Sequence, residues 1–300
     1  MKGIVLAGGL GTRLSPLTKA TNKHLLPVYD KPMVYHPIST LVNAGVKDIM
    51  VVTGGPHAGD FIRVLRNGED FGLKGLSYAY QEGEGGIAMA LSMAESFVGD
   101  DKCIVVLGDN IIADDISSSV NEFEHMGGAQ IFVKEVPDPE RYGVVKYSEE
   151  GEVLELIEKP ENPPSNDAII GLYMYDNSVF ARIKELAPSN RGELEVTDLN
   201  QSYLDDGLLR VKRVHGTWMD CGTFDSLVES KTIVVTGGLG FIGARFIKCV
   251  YENTQYSIIN IDKETYAADL NRVPYSIRAD SNRYRYMNDD ICKNFNNLPA

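Results

Sequence analysis

The sequence predicts an α/β protein built on a mostly parallel sheet flanked by helices, with an antiparallel insertion and a second, smaller α/β unit near the C-terminus. From residue 3 to residue 136, short apolar runs alternate with helical patterns, which is typical of a parallel sheet covered on both faces. From residue 142 to residue 175, only short turns separate the apolar runs, as between antiparallel strands. The alternation of strand and helix then restarts after residue 231.

The individual elements follow from these patterns. Strands are predicted over residues 3–7, 48–53, 76–81, 103–107 and 129–136, and helices over 33–44 and 57–66. Antiparallel strands are predicted over 142–147, 152–159 and 168–175, followed by helices over 177–186 and 195–206 and a strand over 208–215. The last part is predicted to hold a strand over 232–236, a helix over 243–253 and a strand over 256–262, and then a polar stretch.

Charge and cysteine usage limit the class of protein. The net charge of −13 argues against nucleic acid or an anionic membrane as a partner. Residues 231–300 carry a net charge of +2 and the rest of the chain −15, which predicts two domains, residues 1–230 and 231–300. The four cysteines are scattered, so neither a zinc site nor a disulfide framework is expected. Without a signal peptide or a long apolar run, the protein is expected to be soluble and cytoplasmic.

The first glycine-rich turn, residues 8–11, has the chemistry of a phosphate site. It follows a predicted parallel strand, so its backbone amides lie at the sheet edge where α/β proteins bind ligands. Arg13 and Lys23 follow it, and two fixed cations suit a triphosphate during phosphoryl or nucleotidyl transfer. No Gly-Lys-Ser/Thr is present, which excludes a Walker-type loop. From these residues alone, a tight turn with solvated charges remains the alternative.

A series of motifs extends this prediction along the chain. The segments are GGLGTRLSPLT, NKHLLPVYDKPM, YQEGEGGIAMAL, VVLGDN, RYGVV, IEKPENPPSN, GLYMYD, RGELEVTDLN and WMDCGT. In this order, they resemble the signature of the sugar-1-phosphate nucleotidylyltransferases, in the branch that uses dTTP, over residues 1 to about 230. The resemblance implies the nucleotide-diphospho-sugar transferase fold, whose sheet is Rossmann-like.

The resemblance also implies a role for individual residues. The triphosphate would be bound by Gly8, Gly9, Gly11, Thr12 and Arg13, with Lys23 near the α-phosphate. The pyrimidine base would be read by Gln81 and Gly86, and Mg²⁺ would be bound by Asp109 and Asp220. The sugar phosphate would contact Gly143, Glu158, Lys159, Gly171, Glu195, Arg191 and Trp218. The catalytic residues would be Arg13, Lys23, Asp109 and Lys159.

The second glycine-rich turn predicts a different site. Gly238-x-Gly240-x-x-Gly243 follows a strand and opens a helix, and Asp262 ends the next strand, which is the dinucleotide-binding pattern. TIVVTGGLGFIG, NIDKETYAADLN and NDDIC resemble the N-terminus of the dTDP-glucose 4,6-dehydratases, which are short-chain dehydrogenase/reductase relatives. The resemblance implies NAD contacts from Gly237, Gly240, Gly243, Asp262, Asp290 and Ile291.

This second resemblance covers only about seventy residues. None of the tyrosines from Tyr251 to Tyr286 has a lysine four positions later, so the catalytic Tyr-x-x-x-Lys is missing. We therefore expect a truncated Rossmann βαβ unit that binds NAD weakly or not at all. A lone βαβ unit is also expected to expose apolar strand residues, namely Ile233, Val235, Ile259 and Ile261.

The predicted function therefore comes from residues 1–230. We expect magnesium-dependent transfer of a thymidylyl group from dTTP to α-D-glucose 1-phosphate, giving dTDP-glucose and pyrophosphate. A uridylyltransferase that uses UTP is one alternative, because dTTP and UTP share the pyrimidine edge that Gln81 would read. A non-catalytic nucleotide-sugar sensor is another. A homo-oligomer is compatible with the sequence, and neither nucleic acid nor a membrane is an expected partner.

Overall fold

The computed structural model describes residues 1–28, 30–83, 85–189, 191–223, 232–254, 256–281 and 283–290. The chain divides into two compact units. The first consists of Met1–Pro27 and Lys31–Gly222, and the second of Val28–Asp30 and Thr223–Ala300. The predicted boundary near residue 230 lies outside the described residues.

Residues 1–222 hold thirteen strands and seven α-helices among the described residues. The strands are β1 (Lys2–Ala7), β2 (Pro27–Val28), β3 (Lys31–Pro32), β4 (Ile49–Gly54), β5 (Leu76–Gln81), β6 (Cys103–Leu107), β7 (Asn110–Ile112), β8 (Ala129–Glu135), β9 (Gly143–Tyr147), β10 (Val153–Glu158), β11 (Asp167–Tyr175), β12 (Leu209–Arg213) and β13 (Trp218–Asp220). The α-helices are α1 (Tyr35–Asn43), α2 (Ala58–Leu65), α3 (Gly86–Ser92), α4 (Glu95–Val98), α5 (Ser117–Glu124), α6 (Val179–Glu185) and α7 (Val196–Asp205). Short 3₁₀ helices span Thr12–Leu14, Leu17–Lys19, Lys23–Leu25, Glu69–Phe71 and Pro139–Arg141.

The main sheet has nine strands and is parallel in its centre. Strands β5, β4, β1 and β6 are parallel neighbours in that order. Strand β11 runs antiparallel to β6 and pairs antiparallel with both β8 and β9. Strands β9 and β10 form an antiparallel hairpin, and β12 pairs parallel with β8 at the other edge. The predicted fold class, a mostly parallel sheet with an antiparallel insertion, is confirmed.

Strand β1 shows how the sequence places residues on both faces of this sheet. Ile4 and Leu6 belong to the apolar cluster that includes residues of α3, α6 and α7. Val5 and Ala7 belong to the cluster that includes residues of α1, α2 and α5. Since side chains alternate along a strand, an uninterrupted apolar run serves both layers at once.

The parallel arrangement also fixes where the ligand-binding loops lie. The chain leaves β1 into the first glycine turn, β5 ends at Gln81, and β6 ends two residues before Asp109. Because parallel strands end at the same edge of the sheet, these three segments converge there.

The second unit forms a three-stranded parallel sheet in the order β14 (Thr232–Thr236), β15 (Ser257–Asp262), β16 (Tyr284–Asn288). Its helices are α8 (Phe241–Asn253) and α9 (Tyr275–Arg278), with a 3₁₀ turn at Leu270–Arg272. The polar stretch predicted after residue 262 therefore contains a helix and a third strand, so the unit exceeds a single βαβ.

This larger unit corrects the expected exposure of its strands. Val235 and Ile261 are buried, and Ile233 and Ile259 are half-buried. Val235 belongs to an apolar cluster that includes Ile247 of α8, Ile277 of α9 and Tyr284 of β16. The additional helix and strand supply the cover that a lone βαβ unit would lack. Throughout the described part of both units, no helix has the length and apolar character needed to cross a bilayer.

Candidate active site

The first glycine turn is shaped by close contacts at two positions, Gly8 and Gly11. Gly11 has a φ of 65°, in the left-handed region that favours glycine, and the 3₁₀ helix Thr12–Leu14 begins directly after it. A Cβ on Gly8 would lie 2.7 Å from Oε1 of Gln81, and a Cβ on Gly11 would lie 2.8 Å from Cβ of Lys23. The turn therefore packs directly against two of the predicted binding side chains.

Lys23 and Asp109 form a mostly buried ion pair at this edge. Lys23 Nζ lies 2.5 Å from Asp109 Oδ2, and only 16% and 13% of the two side chains are exposed. Asn110 Nδ2 donates to the other oxygen of Asp109 at 3.0 Å. Burial disfavours the charged carboxylate, but Lys23, His24 and the two hydrogen bonds outweigh it and hold the pKa of Asp109 well below its usual range. Asp109 is therefore ionised at neutral pH.

Asp220 reaches the same place through the pairing of two short strands. Strand β13 runs antiparallel to β7, with Asp220 opposite Asn110, and the Cys221 amide donates to the Asp109 carbonyl oxygen at 2.8 Å. Burial, and then the charge on Asp109, raise the pKa of Asp220 to about 6, although Lys23, the Gly222 amide and Arg13 oppose the shift. The carboxylates of Asp109 and Asp220 thus repel each other, with one lysine bound to the first.

This arrangement fits a divalent cation completed by substrate oxygens. Among the described residues, no group of three or more His, Cys, Asp or Glu side chains is placed to hold a metal ion. Mg²⁺ commonly binds one or two carboxylates together with phosphate oxygens and water. A cation beside Asp109 and Asp220 would neutralise the repulsion that raises the pKa of Asp220, so the two residues suit Mg²⁺.

The residues predicted to contact the sugar phosphate take part in a network of charged hydrogen bonds. Thr197 Oγ1 donates to Glu158 Oε2 at 2.6 Å, and Lys159 Nζ lies 3.1 Å from Glu158 Oε1. Arg191 donates to both oxygens of Glu195, at 3.2 and 2.9 Å, and lies 3.5 Å from Glu158. Lys159 has a φ of 44°, a strained value for a residue with a side chain, and such strain is concentrated at functional sites.

The predicted base-reading pair is positioned by backbone contacts. Gln81 is buried at the end of β5, and its Nε2 donates to the Gly86 carbonyl oxygen at 3.5 Å. Gly86 has a φ of 88°, and a Cβ there would lie 2.6 Å from the Leu194 carbonyl oxygen. Glycine is thus needed at residue 86 both for its backbone conformation and for this close approach.

Close contacts also surround three further predicted residues, Gly143, Gly171 and Trp218. A Cβ on Gly171 would lie 2.6 Å from Cγ of Leu107, and one on Gly143 would lie 3.1 Å from Thr197 Oγ1. Trp218 Nε1 donates to Asn110 Oδ1 at 2.6 Å. The Trp218 ring is therefore fixed beside the strand pair that places Asp220.

A single cavity of about 730 Å³ is lined by every site residue predicted for the first domain. These residues are Gly8, Gly9, Gly11, Thr12, Arg13, Lys23, Gln81, Gly86, Asp109, Gly143, Glu158, Lys159, Gly171, Arg191, Glu195, Trp218 and Asp220. Their individual roles stay predictions, but the structure does bring them together.

Several lining residues are absent from the predicted set. They include His24, Asn110, Arg141, Tyr142, Glu193 and Thr197. These residues lie within the motifs NKHLLP, VVLGDN, RYGVV and RGELEVTDLN. The motifs therefore indicated the right segments, but they did not show which of their residues line the cavity and which only support it. His24 is buried, and burial followed by the Lys23 charge lowers its pKa to about 3, so its ring is neutral.

The second glycine turn is also closely packed. Gly237 has a φ of 67°, and a Cβ on Gly243 would lie 2.3 Å from the Gly237 carbonyl oxygen. Asp262 is buried, and its two carboxylate oxygens accept the amides of Leu239 and Glu264, both at 2.9 Å. The predicted ribose acceptor thus already binds two backbone amides.

The structure also describes two more residues of the predicted NAD set, Gly240 and Asp290. Gly240 precedes α8 directly, as a dinucleotide pattern requires. Asp290 Oδ2 lies 3.6 Å from Lys263 Nζ. Ile291 falls outside the described residues.

The cavity of the first unit lies at the carboxyl edge of a mostly parallel sheet, and its lining is rich in both cations and carboxylates. A cavity of this kind is typical of a nucleotide-binding transferase. Comparison with known families agrees with this class: the chain belongs to the nucleotidyl transferase family, which it matches over residues 2–236. The predictions of a nucleotidyltransferase enzyme and of its fold are confirmed.

Individual relatives are similar over most of their length. The chain is 47% identical over 239 residues to a glucose-1-phosphate thymidylyltransferase of Mycolicibacterium smegmatis, covering 79% of this chain and 83% of the relative. It is 45% identical over 240 residues, with the same coverage, to the protein of that name in Neisseria meningitidis.

Solved structures show the same fold. A Bacillus anthracis protein provisionally assigned as a glucose-1-phosphate thymidylyltransferase, in complex with a sucrose, gives a TM-score of 0.72 at 49% identity, over 76% of this chain and 92% of that chain. A UDP-glucose pyrophosphorylase complexed with UDP-glucose gives a TM-score of 0.67 at 24% identity, over 76% and 96%. The second similarity shows the fold alone.

Proposed function

We propose that this chain transfers a thymidylyl group from dTTP to α-D-glucose 1-phosphate, forming dTDP-glucose and pyrophosphate, with Mg²⁺. The observation that carries the proposal is the placement of Asp109 and Asp220 side by side in a cavity shared with Arg13, Lys23 and Glu158. Relatives at 45–47% identity that are named for this reaction support dTTP and glucose 1-phosphate as the substrates. Both substrates are metabolites of the cytoplasm, where we place the reaction.

In this mechanism the glycine turn and its cations bind the triphosphate. Backbone amides of residues 8–11 approach the phosphates, and Arg13 and Lys23 neutralise their charge. Lys23 is held by Asp109, so its ammonium group has a fixed position before the substrate arrives.

The sugar 1-phosphate is bound on the opposite side. Glu158 is oriented by Thr197 and suits a sugar hydroxyl, and Lys159 suits the phosphate. An oxygen of that phosphate attacks the α-phosphorus of dTTP. A new P–O bond forms, the bond from the α-phosphorus to the oxygen bridging the β-phosphate breaks, and pyrophosphate leaves. The residues mainly position the two anions and neutralise their charge, because no protein-derived proton is required.

Asp109 and Asp220 are the residues that would hold Mg²⁺. When bound, the ion supplies a Lewis acid that neutralises charge on the phosphate oxygens. Because Asp109 is ionised and Asp220 is poised to lose its proton near pH 6, both are available as carboxylate ligands at neutral pH.

A pyrophosphate-release assay with the four common triphosphates and several sugar 1-phosphates tests the proposal. The highest kcat/KM is expected for dTTP with α-D-glucose 1-phosphate, and EDTA should abolish turnover. A clear preference for UTP would show that UTP, and not dTTP, is the nucleotide substrate. If no pair turned over while dTDP-glucose still bound, the chain would be a sensor.

We infer further that residues 231–300 form a Rossmann-type unit similar to the N-terminal part of a dehydratase-like domain, joined to a transferase domain of residues 1–230. Support comes from the parallel sheet and from the close packing of Gly237 and Gly243. NAD should bind weakly or not at all, because the described part of this unit is a three-stranded sheet and the second half of a Rossmann sheet is needed to form the nicotinamide side of the site. Calorimetric titration with NAD tests this, and a micromolar dissociation constant would contradict it.

A further inference from the structure

Leu10 is an exposed apolar side chain in a cavity whose lining is rich in charge. It belongs to the first glycine turn, lines the cavity and is 42% exposed. Six other large apolar side chains are exposed among the described residues of 1–222, and none of them lines the cavity. A single exposed leucine is ordinary on a protein surface, but one that lines a ligand cavity is placed to contact the ligand.

The side chain of Leu10 leans toward one side of the glycine turn. The chain enters this turn from β1, which lies between β4 and β6 in the main sheet. A Cβ on Gly55, which follows β4 directly, would lie 2.8 Å from Cδ2 of Leu10. A Cβ on Gly11 would lie 2.8 Å from Cβ of Lys23, whose ammonium group pairs with Asp109 beyond the end of β6. Leu10 is therefore on the β4 side of the turn, and the Lys23–Asp109 pair is on the β6 side.

The β4 side of the turn leads to the predicted base-reading residue. Gln81 ends β5, the strand next to β4, and is paired there with Gly54. A Cβ on Gly54 would lie 2.9 Å from the Gln81 carbonyl oxygen and 3.3 Å from the Gly8 carbonyl oxygen, so the ends of β1, β4 and β5 are in close contact. Leu10 thus lies between the turn that would bind the phosphates and the glutamine that would read the base. In a nucleotide, the group that joins these two parts is the pentose.

We propose that Leu10 is a specificity-determining residue, which packs against C2′ of the deoxyribose and disfavours a 2′-hydroxyl group. This inference rests on the proposed function. The C2′ methylene of dTTP is apolar, and its contact with Leu10 removes apolar surface of both groups from water. The 2′-hydroxyl of UTP would lose water there without gaining a hydrogen bond from Leu10, because a leucine side chain has neither donor nor acceptor.

This contact would supply a discrimination that the base-reading residue lacks. The pyrimidine edge that Gln81 would read is common to dTTP and UTP, so that edge alone does not separate the two nucleotides. A contact at C2′ separates them by the pentose instead. Leu10 would then act on nucleotide choice, whereas Arg13 and Lys23 would bind phosphates that all triphosphates share.

Kinetics with dUTP and UTP isolate the effect of the 2′-hydroxyl, because these two triphosphates differ only at that position. The wild type should use dUTP with a kcat/KM roughly tenfold to hundredfold above that for UTP, the range expected when an apolar contact rejects an added hydroxyl. The pair dTTP and 5-methyl-UTP, which both carry the methyl group on the base, should give a similar ratio.

Three variants test whether Leu10 causes this preference. Leu10→Ser should lower the ratio to roughly threefold or less, mainly by lowering KM for UTP, because a serine hydroxyl can hydrogen-bond a 2′-hydroxyl. Leu10→Met keeps the apolar volume and should keep the ratio. Leu154→Ser is the matched control: Leu154 is 52% exposed and does not line the cavity, so its substitution should leave the ratio unchanged.

A binding measurement supplies a second readout. Calorimetric affinity for dUTP and UTP, with Mg²⁺ and without the sugar phosphate, should show the same preference in the wild type, and Leu10→Ala should lose it even if Leu10→Ser does not fold. Equal use of dUTP and UTP by an active wild type would overturn the proposal and leave the transferase function intact. A preference retained in Leu10→Ser or Leu10→Ala would overturn it as well. Absence of turnover with every triphosphate in the wild type would instead refute the proposed function itself, and this inference with it.

Discussion

Asp220→Asn is expected to change activity and stability in opposite directions. In the metal-free protein, burial and the neighbouring Asp109 raise the pKa of Asp220 from 3.8 to about 6. At about 1.36 kcal/mol per pKa unit, keeping this group ionised at neutral pH costs up to about 3 kcal/mol of folding free energy. Asparagine removes the charge but can still accept the Gly222 amide, which lies 3.1 Å from Oδ1. The variant should therefore be more stable by about 1–3 kcal/mol without metal.

The same substitution should remove most of the activity. One of the two carboxylates that suit Mg²⁺ is lost, so charge on several phosphate oxygens is no longer balanced. A loss of several kcal/mol of transition-state stabilisation corresponds to a decrease in kcat of roughly hundredfold or more.

Urea unfolding in EDTA and in excess Mg²⁺, alongside pyrophosphate release, measures both effects. The folded state binds the Asp220 proton more tightly than the unfolded chain does. The contribution of this protonation to the free energy of unfolding is therefore fully present below about pH 4 and is lost as pH rises through about 6. The stability advantage of Asp220→Asn in EDTA should therefore grow over that window. Mg²⁺ should stabilise the wild type and not the variant.

Asp100→Asn provides the control for the change of charge. Asp100 is exposed and does not line the cavity, so its substitution should alter stability by less than about 0.5 kcal/mol and leave kcat unchanged. Near-normal turnover of Asp220→Asn with Mg²⁺ would refute the metal assignment. A loss of stability in EDTA relative to wild type would refute the electrostatic argument.

Three further predictions address other parts of the chain. Arg13→Ala should lower kcat by roughly a hundredfold or more, because we propose that its guanidinium stabilises charge that develops in the transition state. A change in KM for dTTP alone would make Arg13 a binding residue only. Gly171→Ala should cost about 1–3 kcal/mol in urea unfolding, because the new Cβ would lie 2.6 Å from Leu107 Cγ. Gly59→Ala, within α2 and with no neighbouring atom within 4 Å, should be neutral or slightly stabilising, and equal effects of the two would contradict the packing argument. Deletion of residues 231–300 should leave nucleotidyl transfer essentially unchanged, and residues 1–300 with NAD should not convert dTDP-glucose to its 4-keto-6-deoxy product. Product formation, or inactivity of a folded truncation, would refute the assignment of the transferase activity to residues 1–230 alone.

The sequence by itself determined the central sheet and many of the residues that line the cavity. Strand β6 was predicted at its observed bounds, Cys103–Leu107, because a buried parallel strand is an uninterrupted apolar run. Strand β5 was predicted at Leu76–Gln81, although it is an edge strand with an exposed Tyr80, because aromatic residues are enriched in strands. Predicted site residues came together for a related reason. Many of them follow strands of one parallel sheet, and such strands must end at a common edge.

Other features depended on contacts between segments that are far apart in the chain. Asp109 and Asp220 are neighbours only because β7 pairs with β13, two three-residue strands separated by more than a hundred residues and too short to give a pattern of their own. Strand β16 was missed because its segment is polar, and it is a strand through pairing with β15 and burial of Tyr284 against α8 and α9.

The sequence also could not predict that the side chain of Arg141 lines the cavity. Its sequence position, in RYGVV beside the predicted Gly143, marks the segment, but whether an arginine lines a cavity depends on the surface that the fold places opposite it. Local sequence determines which segments form strands and helices, because periodicity and turn chemistry act over a few residues. Only the tertiary structure decides which charges meet, because that depends on register and pairing between distant strands.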